Sequence, residues 1–261
     1  MAETPQQAMA SLREQYAEVG ANNYRPAFEA QLTSEQRRGL EGTIARFRGN
    51  EAFDSAARRA QEIFDLDRRT GVVEGAIDDN FQRYAHYLKM GLDEEAQFSA
   101  SMMSGRQASQ VAGIRRMRAQ MIESMDQNIP GYREARNRWA SLASAEEALG
   151  EGATLTNQNA DAIRARLGQM TDFERYHARV GFANEIAERL GRRGSVNGNR
   201  NIAEALGSPE IQRRVSAMFE TPEQAAAFLD TLNQQNMLMR NAQQWGTGSQ
   251  TYSNAAHGAD E

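Results

Sequence analysis

The sequence contains no cysteine, and its runs of apolar residues are only a few residues long. Disulfide bonds, a thiolate nucleophile and cysteine-based metal sites are therefore excluded. A membrane-spanning helix needs about 20 consecutive apolar residues, so no transmembrane segment is expected. The N-terminal residues MAETPQQ also lack the basic start and the apolar stretch of a signal peptide. A chain without cysteine tolerates reducing and oxidising compartments alike.

Lysine is almost absent, because Lys89 is the only one and 29 of the 30 basic residues are arginine. A GC-rich genome produces this bias, and so does selection for bidentate pairing with carboxylates or phosphates. Acidic residues outnumber and interleave the arginines, giving a formal net charge of −5. A large nucleic-acid-binding face is therefore not indicated.

The alternation of β-branched and aromatic residues that is typical of strands is also scarce. The strong helix formers Ala, Glu, Gln, Arg and Met dominate instead, which predicts an all-α fold. The 261 residues suffice for one large domain or two smaller ones. Because the mean hydropathy is −0.72, thin helical hairpins or an assembly subunit are favoured over a thick globular core.

Local sequence signals predict several helix boundaries. Threonine followed three residues later by Gln or Glu forms a capping box, and Ser-Pro or Thr-Pro places proline at the first helical position. Such signals predict helix starts at Thr33, Thr171, Ser208 and Thr221. Glycines predict helix ends or breaks at Thr70 with Gly71, at Gly75, at Met90 with Gly91, at Gly150 and Gly152, within residues 191–198, and at Gly246 and Gly248.

The C-terminal part carries apolar stripes at helical spacing, each of which is most simply buried in a core. The stripes are Phe173, Tyr176, Val180, Ala183 and Ala187; Ile211, Val215, Met218 and Phe219; and Phe228, Leu229, Leu232 and Met239. Helices with one such stripe each must pack together. We therefore predict a compact helical bundle over residues 131–246, with a boundary near Pro130 and Gly131. Residues 247–261 are predicted to be a tail that is flexible or ordered by a partner.

Residues 1–130 are predicted to form an extended, hairpin-like helical region for oligomerisation or packing. Within it, residues 93–128 are compatible with one long helix or with an intrachain hairpin. The apolar positions of this stretch are rich in methionine, an adaptable packing residue: Phe98, Met102, Val111, Ile114, Met117, Met121 and Met125. A thin stripe of this kind suits contact with neighbouring subunits as well as with the chain itself.

The residues that could carry chemistry form no recognisable site, so no catalytic, cofactor-binding or metal-binding residue is predicted. His86, His177 and His257 have no metal-ligand spacing, and we interpret the first two as structural. Residues 192–200 (RRGSVNGNR) lack the spacing of a phosphate-binding loop and are interpreted as a loop between helices. The alternative is an anion-contacting loop formed by Arg192, Arg193 and Arg200.

The dipeptide Glu123-Ser124 matches the catalytic Glu-Ser pair of lytic transglycosylases. A general acid needs a pocket that raises its pKa. The glycine-containing continuation of those enzymes is missing from residues 121–130, and so is their later Gly-Leu-Met-Gln-like segment. A peptidoglycan-cleaving activity with Glu123 as the acid is therefore only the weakest alternative.

From residue 130 onward, five pieces in matching order carry a resemblance to a known family. They are PGYREARNRW at 130–139, MTDFERYHARVGFA at 170–183, NRNIAEALGSPEIQRRV at 199–215, FETPEQAAAFL at 219–229 and NMLMRNAQQWGTGSQT at 236–251. This set resembles a C-terminal module of the internal virion proteins, or ejection proteins, of tailed bacteriophages. The resemblance implies a non-enzymatic virion protein that lies inside the head, near the portal or tail, and helps DNA cross the host envelope, with passage into the host periplasm after ejection.

The same resemblance implies partners, namely further copies of the chain and portal, tail or other internal virion proteins, with weak contact to packaged DNA. Some relatives carry a transglycosylase or peptidase elsewhere, but no such domain is recognisable here. A head-tail connector or tail protein that stays in the particle is the alternative expectation.

Overall fold

The structure is a computed structural model that describes residues 4–101, 108–197 and 208–247. Every regular element among these residues is helical, so the predicted all-α fold class is confirmed. Contacts divide the chain into two compact units. We call Arg13–Ser141 the first unit, and Met1–Leu12 together with Leu142–Glu261 the second unit.

The helices follow one another with short connections. The elements up to the middle of the chain are α1 (Pro5–Val19), a π-helical turn (Gly20–Tyr24), α2 (Arg25–Glu29), α3 (Ser34–Phe47), α4 (Glu51–Arg69), a 3-10 turn (Ile77–Asn80), α5 (Phe81–Ser101) and α6 (Ala108–Asn128). The later elements are α7 (Tyr132–Leu155), α8 (Ala160–Leu167), α9 (Asp172–Asn197), α10 (Pro209–Met218) and α11 (Pro222–Thr247).

The division between the units differs from the boundary predicted near Pro130 and Gly131. Gly131 does connect two helices, and its φ of 76° is one that glycine adopts without strain. The next residue, Tyr132, is fully buried in the core of the first unit. The contacts therefore keep the first part of α7 with the preceding helices and change at Ser141.

The predicted helix starts are confirmed. Thr33 forms a complete capping box with Gln36 in front of α3. In front of α9, the backbone N–H of Glu174 donates to the Thr171 hydroxyl, and the Thr171 N–H donates to the Glu174 carboxylate at 2.7 Å. The start signals at Ser208 and Thr221 precede α10 and α11 directly. The caps at Thr33 and Thr171 satisfy backbone donors that a helix leaves unpaired at its first turn.

The core of the first unit is built mainly from α3 to α6. Its largest fully buried side chains include Phe53 and Phe64 of α4, Leu88 of α5 and Met121 of α6. Full burial of each such side chain contributes roughly 1.5–3 kcal/mol to stability. Most of the methionine-rich stripe of α6 is thus buried in the core of the first unit.

The region 93–128 is not one uninterrupted packing surface. Helix α5 ends at Ser101 and α6 begins at Ala108, and α6 packs against α5. Asp93 of α5 forms an ion pair with Arg118 of α6. Among the predicted apolar positions, Phe98 is exposed, with 61% of its surface accessible, and Met102 lies outside the described residues. The described helices therefore favour the intrachain alternative.

The core of the second unit contains the apolar stripes that the sequence predicted. Val215 and Met218 of α10 are fully buried, and they pack with Phe182 of α9 and Leu232 of α11. Tyr176 departs from the prediction, because 46% of its surface is exposed. The side chain of Met239 lies outside the described residues.

Gly91, Gly152 and Gly150, which were predicted to end or break helices, lie inside helices, and Gly91 and Gly152 are sites of close helix packing. A Cβ on Gly91 of α5 would lie 2.4 Å from the carbonyl oxygen of Ala56 in α4. A Cβ on Gly152 of α7 would lie 2.0 Å from the carbonyl oxygen of Ala178 in α9. A Cβ on Gly150 would have no atom of a packed neighbouring residue within 4 Å. Glycine is needed at the first two positions because the neighbouring backbone is too near for any side chain.

The prediction of a loop over residues 192–200 is wrong for its first part. Helix α9 continues to Asn197, so Arg192 and Arg193 lie on a helix. Gly194 lies within this part of α9, and a single glycine costs a helix only about 1 kcal/mol. Arg200 and the tail after residue 247 lie outside the described residues.

Candidate functional site

The first unit contains a cavity of about 530 Å³ beside α2 and α5. Its wall combines aromatic rings with charged side chains. The lining includes Tyr24, Arg25, Phe28, Arg83, His86, Lys89, Asp93, Glu94 and Trp139. Ligand pockets in proteins commonly have volumes of about 300–1,000 Å³ and a mainly apolar lining with a few polar groups.

The π-helical turn places two of the rings at this cavity. Along Gly20–Tyr24 the helix holds one more residue per turn, and the backbone N–H of Arg25 donates to the carbonyl of Gly20. The next residue, Pro26, has no N–H and would press against the carbonyl four residues before it in a regular α-helix. Widening the turn relieves this conflict. Tyr24 and Phe28 then stack with their ring centroids 5.6 Å apart.

His86 lies at the centre of the aromatic wall. Its ring centroid is 5.1 Å from that of Tyr24 and 5.4 Å from that of Phe28. The indole of Trp139 meets Tyr24 edge-on at 6.0 Å. Such edge-to-face contacts are favourable because the positive edge of one ring meets the negative face of another.

The tautomer of His86 follows from its bond to Tyr132. The Tyr132 hydroxyl lies 2.9 Å from Nδ1 of His86, and Tyr132 is fully buried. A buried hydroxyl needs an acceptor, and Nδ1 is its only hydrogen-bond partner in the described part of the chain. The hydroxyl therefore donates to Nδ1, and the neutral imidazole carries its proton on Nε2.

Burial keeps these groups uncharged. Desolvation lowers the pKa of His86 to about 3, and the positive charge of Lys89 acts in the same direction. Desolvation also raises the pKa of Tyr24 to about 12 and raises that of Tyr132 further. His86 is thus a neutral donor, and both phenols keep their protons near neutral pH.

Both carboxylates at the cavity are engaged in ion pairs. Lys89 Nζ lies 2.5 Å from Asp93 Oδ2, and Arg118 pairs with the other oxygen of Asp93. Glu94 accepts from Arg59 at 2.8 Å. These pairs leave the carboxylates little capacity to neutralise further cations.

The two arginines at the cavity are placed differently. The guanidinium of Arg83 lies 5.0 Å from the centre of the Phe28 ring, a cation–π contact, and it also interacts with the Tyr87 hydroxyl. Arg25 is exposed at the rim. Neither forms an ion pair with a carboxylate within the described ranges 4–101, 108–197 and 208–247.

Among the residues singled out from the sequence as able to carry chemistry, His86 alone of those that the structure describes lines the cavity. His86 lines the cavity, whereas His177 is buried in the second unit with its Nδ1 2.9 Å from the carbonyl of Phe173. His257 lies outside the described residues. Glu123 is exposed on α6, and Ser124 is buried with Asn128 donating to its carbonyl at 2.8 Å. Neither lines the cavity.

The cavity itself was missed by the sequence reasoning. Trp139 lies far from Tyr24 and Phe28 in sequence, and neither Tyr24 nor Phe28 belongs to a motif. One signal was available: Arg-Tyr-Ala-His-Tyr at residues 83–87 sets a histidine among aromatic residues at helical spacing.

Within the described residues, no three His, Asp or Glu side chains converge in a way that would hold a metal ion. In the same part of the chain, no helix has the length and apolarity to cross a membrane. No protein-family model, curated protein sequence or solved structure matches this chain.

Proposed function

We propose that this chain is a structural component of a tailed-phage virion, an internal or ejection protein that assists DNA delivery through protein–protein assembly. The observation that carries the proposal is the ordered set of five sequence pieces between residues 130 and 251. Several of these pieces fall on helix starts of the second unit, where Thr171 caps α9 and Thr221 precedes α11. This agreement with helix boundaries supports reading the pieces from residue 170 onward as parts of one folded module, whereas residues 130–139 lie in the first unit.

Two features of the described residues fit a role in assembly. All regular elements are helices, which is a common architecture for subunits that pack side by side. Arginines form numerous surface ion pairs with carboxylates, such as Arg166 with Glu151 at 2.5 Å. Many arginines thus form ion pairs within the chain, and arginines on the surface can also contact partners.

The location of Glu123 weighs against the alternative of peptidoglycan cleavage. Its carboxylate is exposed and accepts a hydrogen bond only from its neighbour on the helix, Gln127, at 3.3 Å within the described region. A general acid needs an apolar pocket to hold its proton near neutral pH. Should the chain clear peptidoglycan in a gel assay and Glu123→Gln abolish the clearing, this alternative would replace our proposal.

The test of the proposal is mass spectrometry of purified particles from the phage or prophage that encodes this chain. We expect the protein in full particles and its loss from particles that have released their DNA. Absence from full particles would refute a virion role. Equal amounts in full and emptied particles would instead support the alternative of a connector or tail protein that stays in the particle.

A further inference from the structure

We propose that the cavity beside α2 and α5 binds a small aromatic monocarboxylate. The wall residues, the unpaired cations and the imidazole donor each specify one part of this ligand. The inference is independent of the proposed virion role.

The wall specifies an aromatic body. Tyr24, Phe28, His86 and Trp139 present ring faces and edges to the same space, and 43% of the Trp139 surface is accessible. A planar ring can make offset-stacked or edge-to-face contacts with several of them at once. The volume of about 530 Å³ accommodates one or two fused rings with a short substituent.

The charges specify an anion. Asp93 and Glu94 are paired, whereas Arg25 and Arg83 have no carboxylate partner among the described residues. The planar guanidinium of Arg83 can give two parallel hydrogen bonds to a carboxylate. Arg83 thus faces the cavity with donor capacity that the protein leaves unused.

The donor geometry favours a carboxylate over a phosphate dianion. Lys89 is already paired with Asp93 and Arg25 lies exposed at the rim, so Arg83 is the cation of the wall that has no carboxylate partner among the described residues. One guanidinium fork balances the single charge of a carboxylate through two parallel hydrogen bonds, whereas it leaves part of the charge of a phosphate dianion unbalanced.

The imidazole of His86 supplies a directional donor. The Tyr132 hydroxyl occupies Nδ1 and so leaves the Nε2–H on the other edge of the ring. This N–H is a hydrogen-bond donor only, so its partner in the ligand must be an acceptor such as a carboxylate oxygen. His86 and Arg83 can therefore both donate hydrogen bonds to one carboxylate group of the ligand.

The experiment uses the full chain and ligand-observed saturation-transfer NMR, with titration into the millimolar range. Indole-3-acetate is the probe. Tryptamine carries the same ring with a positive charge, cyclohexylacetate carries the same acid without an aromatic ring, and phenyl phosphate carries a dianion. We expect indole-3-acetate to bind at least about tenfold more tightly than tryptamine, which loses the charge-assisted hydrogen bond, and measurably more tightly than cyclohexylacetate, which loses the ring contacts, and than phenyl phosphate, whose second charge has no partner. No binding of indole-3-acetate, or equal binding of any comparator, would overturn the proposal.

A pair of variants locates the site. Arg83→Gln should weaken indole-3-acetate binding about tenfold or more. Arg37→Gln is the matched control, because Arg37 also lies 5.0 Å from an aromatic ring centre, that of Phe81, but does not line the cavity. Circular dichroism checks that both variants fold. If Arg83→Gln does not fold, Trp139→Ala replaces it with the same expected loss. Equal binding by the cavity variant and the control would place the ligand elsewhere and refute the assignment.

Discussion

The hydroxyl of Tyr132 lies 2.9 Å from Nδ1 of His86 and joins two helices whose contacting residues are 46 positions apart in sequence. Both side chains sit among aromatic rings, with the two ring centroids 5.8 Å apart. This bond fixes the tautomer of the imidazole and satisfies a fully buried phenol at the same time.

We expect His86→Phe to lower the free energy of unfolding by about 1–3 kcal/mol, because it leaves the buried Tyr132 hydroxyl without an acceptor. The double variant His86→Phe/Tyr132→Phe removes both partners and should recover at least about 1 kcal/mol of that loss. Urea denaturation of the parent, both single variants and the double variant measures the coupling. Simple additivity of the two single losses would show that the bond contributes nothing to stability.

The lowered pKa of His86, about 3, predicts a pH dependence of stability. In the unfolded chain the imidazole gains a proton below its ordinary pKa of about 6.5, while in the folded chain it does not. Stability therefore falls as the pH drops through this window, by about 1 kcal/mol between pH ~7 and ~5.5. This share of the loss should vanish in His86→Phe/Tyr132→Phe, which keeps every other group that titrates between pH ~7 and ~5.5. An NMR titration of His86 with a midpoint near the ordinary value would contradict the prediction.

Gly91→Ala should destabilise the first unit, because its Cβ would lie 2.4 Å from the carbonyl oxygen of Ala56 and force α4 and α5 apart. We expect a loss of about 1–3 kcal/mol, the usual cost of overpacking. Gly113 in the interior of α6 is the matched control, because a Cβ there meets nothing within 4 Å. Gly113→Ala should instead raise stability by about 0.5–1 kcal/mol through helix propensity. Thermal unfolding of the two variants should shift in opposite directions.

Asp126→Asn should cost about 1–3 kcal/mol, because the Asp126 side chain is only 8% exposed and pairs with Arg136 at 2.8 Å. Asp65 occupies a similar place near the end of α4 and forms an exposed pair with Arg68 at 3.7 Å. Asp65→Asn should change stability by less than about 0.5 kcal/mol. Similar losses in the two variants, measured by chemical denaturation, would mean that burial of the Asp126 pair does not matter.

Helix starts could be predicted from the sequence because their determinants are local. A Thr cap and a Gln three residues later are enough to begin α3, wherever the helix then packs. Glycine carries no such local meaning. At Gly91 and Gly152 it marks a neighbouring backbone that is close in space and remote in sequence, and the sequence reasoning took both for helix ends.

The cavity was beyond sequence reasoning for the same reason. Its wall joins side chains from the π-helical turn, α5 and α7, and only the packing of the first unit brings them together. His86 was interpreted as structural, which its bond to Tyr132 supports, but its place at a cavity wall depends on Phe28 and Trp139. A single histidine in a sequence does not reveal which rings surround it.

The single lysine has a practical consequence for chemical labelling. Lys89 is the only side-chain amine in the chain, it lines the cavity, and its side chain is 19% exposed in an ion pair with Asp93. An amine-selective acylating reagent therefore has one side-chain target, whose modification adds a known mass to one peptide. The rate at which that mass appears reports on the accessibility of the cavity without any engineered label.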